Sequence, residues 1–98
     1  MHPERLQQIR DQRDVILRLA AQYGIRSVRL FGSVVRGEAR ADSDVDVLID
    51  FEPGRSLLDQ VGFEQDLEAL LGCKVDVVVE VGLSPYLQDR ILHEARPL

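Results

Sequence analysis

Asp44 and Asp46 stand two apart in the run Asp-Val-Asp-Val-Leu-Ile-Asp-Phe, residues 44 to 51. On an extended strand such residues share a face, with side chains about 6–7 Å apart. Two carboxylates so placed raise each other's pKa and cost stability unless a cation lies between them. Carboxylate oxygens suit Mg²⁺ or Mn²⁺, which keep several waters and take further ligands from substrate phosphates. Asp76 opens a similar apolar run. If the two strands are neighbours, it brings a third carboxylate to the same place. Three converging carboxylates are the usual apparatus of two-metal phosphoryl or nucleotidyl transfer. An isolated Asp-x-Asp reads more simply as the solvent face of a strand, and that reading fits Asp50 and Glu80.

Gly32-Ser33 is the second feature with chemical potential. It follows a predicted strand and precedes a predicted short helix. A glycine lets a phosphate approach the backbone, a serine hydroxyl can donate to it, and the following amides point outward. This is neither a P-loop nor a Rossmann fingerprint: no Gly-Lys-Ser/Thr occurs, and Lys74 is the only lysine. On its own the pair reads as a strand-ending turn. The remaining candidates read as packing or surface. His2 and His93 lie far apart, Cys73 is expected to fill space between a helix and a strand, and Tyr23 and Tyr86 are expected to pack at helix ends.

The elements that must carry these residues follow from periodicity. Leu6, Ile9, Ile16, Leu19 and Tyr23 recur at near-helical spacing, which predicts one amphipathic helix of about 18 residues ending near Gly24. Ser27 to Phe31 reads as a short strand, followed by a brief helix and a polar loop over 34–43. Asp44 to Phe51 alternates as a second strand, with Val45, Val47, Ile49 and Phe51 on one face and Asp44, Asp46, Leu48 and Asp50 on the other. Ser56 and Asp59 have capping-box spacing ahead of a helix that ends at Gly72. Val75 to Val81 reads as a third strand. Ser84-Pro85 opens a last helix, with Tyr86, Leu87, Ile91 and Leu92 as its apolar stripe. The expected fold is α/β (α+β), in the order α-β-α-β-α-β-α, with a three-stranded mixed sheet flanked by helices.

Composition sets the bounds. At 98 residues, 45% hydrophobic and 30% charged, the chain is expected to form one globular domain over 1–98. A formal charge of −5 argues against a broad electrostatic grip on nucleic acid. No apolar run is long enough for a membrane span, no signal peptide is evident, and a lone cysteine excludes an internal disulfide. A soluble, cytoplasmic protein is the expectation.

The combination is more specific than its parts. Gly32-Ser33, ten intervening residues, Asp44-Val-Asp46 and then a strand with Asp76 resemble the nucleotidyltransferase superfamily that includes DNA polymerase β. The longer string Leu-Phe-Gly-Ser-Val-Val-Arg-Gly-Glu-Ala-Arg-Ala-Asp-Ser-Asp-Val-Asp-Val-Leu-Ile is similar to its minimal nucleotidyltransferase (MNT) branch, and the likeness covers nearly the whole chain. The resemblance implies that Gly32 and Ser33 hold the triphosphate of ATP. It implies that Asp44 and Asp46 ligate Mg²⁺ (two ions, with Mn²⁺ an alternative), while Asp76 completes the site and helps activate the incoming hydroxyl. Arg36 matches the arginine of the family's Arg-Gly step and is expected at phosphate. Ser43 matches the serine that orients the first metal-bound carboxylate. Val34 stands where many relatives carry a polar or basic residue, so a phosphate contact from that position is lost.

Small MNT proteins resemble the antitoxin half of HEPN/MNT toxin–antitoxin pairs. The implied function is transfer of AMP from ATP to a tyrosine hydroxyl of a HEPN ribonuclease toxin bound in a hetero-oligomer. Two other readings remain: a catalytically silent binding module that neutralises its partner by occlusion, and nucleotidyl transfer to a small hydroxylated molecule. A chain of this length is expected to lack the acceptor-gripping domain of larger relatives.

Overall fold

The computed structural model describes residues 4–38 and 44–98. Its elements are α1 (Glu4–Asp11), α2 (Arg13–Gln22), β1 (Ile25–Phe31), α3 (Ser33–Arg36), β2 (Val45–Phe51), α4 (Leu57–Leu71), β3 (Val75–Val79), a 3₁₀ turn (Glu80–Gly82), α5 (Pro85–Glu94) and β4 (Arg96–Pro97). The sheet order is β3-β2-β1-β4. β2 and β3 run parallel, and the β1 pairings are antiparallel, so the sheet is mixed.

The alternation in β2 dictates the layers. Val45, Val47 and Ile49 are almost fully buried against Ile9, Ile16, Phe63 and Leu67 from the helices on one face. Burying side chains of this size stabilises by about 1.5–3 kcal/mol each. α4 ends with a left-handed Gly72 and begins with the expected capping box, Ser56 and Asp59 bonding reciprocally to the backbone. It is also tied to β3 by polar contacts. The Glu68 carboxylate accepts from the Val75 amide at 3.0 Å, and Gln60 donates to the Val77 carbonyl at 3.2 Å. Tyr23 packs edge-on against Phe63, with 6.3 Å between ring centroids. Gly62 makes room for it, because a Cβ there would lie 2.5 Å from the tyrosine ring.

The structure departs from the sequence-based expectation at four places. The first helix is divided: at Gln12 the amide bonds the Ile9 carbonyl three residues back, and α1 and α2 lie on either side. A fourth strand exists, in which Arg96 and Pro97 pair with Leu30 and Arg29. A proline on a two-residue edge strand gives no periodic signal. β3 stops at Val79 and turns into the 3₁₀ segment, which leaves Val81 88% exposed. Tyr86 does not pack at a helix end but is 94% exposed. Among the described residues no helix is long and apolar enough to cross a membrane.

Candidate active site

Strand direction assembles the acidic residues. Because β1 and β2 are antiparallel, the end of β1 meets the beginning of β2, and Phe31 pairs with Asp46. Because β2 and β3 are parallel, both begin at the same end of the sheet, and Asp46 pairs with Asp76. Neighbouring strands lie about 4.8 Å apart. Asp44 directly precedes β2 at this end. The face alternation expected for β2 therefore holds for its acidic residues, with one addition. Leu48 lies on the acidic face yet is fully buried. Arg29 on β1 is its cross-strand partner and reaches Glu80, just past β3, at 2.9 Å. Asp50 pairs with Arg26 at 2.8 Å. These two acids form ion pairs rather than a bare solvated face.

Gly32 ends β1 with φ +75°, in the region that favours glycine. A Cβ there would lie 2.1 Å from the Asp46 carboxylate. The glycine is thus required twice: by its backbone and by the carboxylate seated over it. Ser33 begins α3, and its carbonyl accepts from the Glu38 amide at 2.9 Å. Val34 faces away into the core at 2% exposure, so its apolar character follows from packing. Gly32→Ala should destabilise the fold by about 1–3 kcal/mol, from positive-φ strain and displacement of Asp46. A thermal melt checks this, and an unchanged melting temperature would refute it.

The Asp46 carboxyl is pushed above its ordinary range, first by burial and then by the fields of Asp76 and Asp44; Glu94 adds to this and Arg36 opposes it. Burial disfavours the charged form, and nearby like charges disfavour it further. A divalent cation would relieve both. Among the described residues, no three His, Cys, Asp or Glu side chains converge into a ready-made metal cage. The donor set fits instead an ion that keeps waters and completes its shell with substrate phosphate. Ser43 lies outside the described residues, as does His2.

Residues of α5 form the opposite wall, two from its expected apolar stripe and two charged ones outside it. An open cleft of about 250 Å³ is lined by Phe31, Gly32, Arg36 and Asp46 on one side and by Leu87, Arg90, Ile91 and Glu94 of α5 on the other. Arg36 reaches this cleft, but its guanidinium bonds Glu38 at 3.1 Å and Glu94 at 2.5 Å. The i, i+3, i+4, i+7 spacing of 87, 90, 91 and 94 was a signal of one helix face. Cys73 is half-buried, packs against the core, and has its thiol pKa raised chiefly by burial.

The strand-ending Gly32-Ser33 thus lies beside carboxylates carried on two adjacent strands. Residues 10–98 match the nucleotidyltransferase domain, and the chain belongs to that family. It is 47% identical over 76 residues to the protein adenylyltransferase MntA of Thermococcus cleftensis, covering 78% of this chain and 77% of the relative. A solved structure of a candidate minimal nucleotidyltransferase is 51% identical, with TM-score 0.84 over 100% of this chain and 97% of the other. Two toxin–antitoxin complexes share the fold alone. One, with AMP-PNP, is 21% identical at TM-score 0.74 over 86% of this chain and 69% of the other. The second is a tri-AMPylated Shewanella oneidensis HEPN toxin with its MNT antitoxin, 19% identical at TM-score 0.65, over 86% and 66%.

Proposed function

We propose that this nucleotidyltransferase transfers AMP from ATP to a tyrosine hydroxyl of a partner HEPN toxin, and so acts as its antitoxin. The observation that carries the reading is the row Gly32, Asp46, Asp76, in which a bare backbone turn faces carboxylates that repel one another without a cation. The name of the Thermococcus relative supports protein adenylylation, and the AMPylated HEPN toxin supports the acceptor class. Leu87 on the cleft wall is exposed, as are Val81 and Tyr86 elsewhere on the surface, and such apolar exposure suits an acceptor that is itself a protein.

In this reading Gly32 and Ser33 hold the triphosphate, with Ser43 orienting Asp44. Asp44, Asp46 and Asp76 would hold Mg²⁺, or Mn²⁺, in one or two positions. When bound there, the ion neutralises charge developing on the α-phosphate. Asp76, the most exposed of the three, faces the acceptor and takes the hydroxyl proton. The hydroxyl oxygen bonds to the α-phosphorus, and the bond to pyrophosphate breaks. Arg36 can meet phosphate only by exchanging its Glu94 contact. The cytoplasm supplies the ATP.

Incubation with labelled ATP, Mg²⁺ and a HEPN partner should add one or more AMP masses to the partner's tyrosine. Silencing of the partner without added mass would favour occlusion. Labelling of a small alcohol alone would favour a small-molecule acceptor.

A further inference from the structure

Arg36, the guanidinium next to the Gly32 turn, is already held by two carboxylates, one of them Glu94 at 2.5 Å and only 18% exposed. Arg90 stands one helical turn before Glu94 on the same α5 face and lines the same cleft as Gly32 and Asp46. It has no ion-pair or hydrogen-bond partner among the described residues. We propose that α5 is the second wall of the nucleotide cleft, with Arg90 as the cation that meets the β- and γ-phosphates while Glu94 keeps Arg36 as a brace. This deepens the proposed function and rests on it for the identity of the nucleotide.

The charges in the cleft make the case. Asp46 and Glu94 both face the space, and they would repel a triphosphate unless a cation is free to meet it. Arg36 can meet it only by leaving Glu94 uncompensated in a partly enclosed site, which carries a desolvation cost. Arg90 incurs no such loss. Its planar fork suits two phosphate oxygens at once. Leu87 and Ile91, one turn apart on the same face, give the wall an apolar part beside the charge.

Calorimetry on the full chain with Mg²⁺ tests the assignment, using ATP and AMP as probes. Arg90→Gln should weaken ATP about tenfold or more, the usual cost of losing a charged hydrogen-bond partner, and leave AMP within about twofold. Arg36→Gln should weaken ATP less than Arg90→Gln does. Arg90 is exposed, so the variant should melt with the wild type. Wild-type ATP affinity in Arg90→Gln, equal losses for ATP and AMP, or a larger loss in Arg36→Gln would each overturn the proposal. If the wild type still transfers AMP in any of those cases, the proposed function stands and only the role of Arg90 falls. If the wild type neither binds ATP nor transfers AMP, both readings fall.

Discussion

Asp46→Asn should raise the melting temperature of the metal-free protein at neutral pH while abolishing transfer. The sign follows from the direction of its shift. Burial and the neighbouring Asp76 and Asp44 hold the Asp46 carboxyl above its ordinary value in the folded state. Between the ordinary and the raised value, the folded protein holds a proton that the unfolded chain has released. Stability therefore falls as pH rises through that window, and the penalty is complete above it. Asparagine has nearly the same shape and carries no charge, so it removes the penalty without a Cβ or volume change near Gly32. A gain of about 0.5–2 kcal/mol fits the scale of single-site effects. In a domain of this size, each 1 kcal/mol moves the midpoint by roughly 4–8 °C. The gain should fade below about pH 4, where an ordinary aspartate is itself protonated. Mg²⁺·ATP should shrink or reverse it, because only the wild type then gains from ion binding. Melts in EDTA across pH, paired with a transfer assay, check all of this. A variant that melts below the wild type at pH 7.5 without metal would show that Asp46 is satisfied as it stands.

Much of this arrangement was legible because period-2 alternation is a direct record of sheet geometry. Val45, Val47 and Ile49 announced the buried face, and Asp44 and Asp46 therefore had to look the other way. Their meeting with Asp76 was conditional on strand adjacency, which the order of elements does not fix; the parallel β2–β3 pairing supplies it. The capping box at Ser56 and the stop at Gly72 were readable because caps are local. The two-residue β4 was not, since its pairing to Leu30 comes from tertiary contact. Leu48 looked like an exception on an acidic face, and nothing local foretold the ion pair between Arg29 and Glu80 beside it. The α5 wall was missed for a different reason. The expected apolar stripe contained Leu87 and Ile91 but also Tyr86, which is 94% exposed, and it gave no reason to add the charged Arg90 and Glu94 that complete the cleft wall.

Asp76→Asn should separate fold from chemistry more cleanly than any other change. Its side chain is exposed on an edge strand, so the substitution removes no packing. It removes one of the three negative charges that press on Asp46, so the metal-free protein should melt at or slightly above the wild-type temperature. Asp44 and Asp46 remain, and Mg²⁺·ATP should still bind, with reduced affinity. Transfer should fall by orders of magnitude, because in the proposed mechanism the lost carboxylate positions the attacking hydroxyl and takes its proton. Asp50→Asn is the matched control, on the neighbouring strand β2 four residues beyond Asp46. It breaks an exposed pair with Arg26, worth at most about 1 kcal/mol, and should leave transfer intact. Melts, calorimetry with Mg²⁺·ATP and single-turnover transfer on both variants give the answer. Near wild-type transfer by Asp76→Asn would return Asp76 to an ordinary strand residue and leave Asp44 and Asp46 to act as a pair.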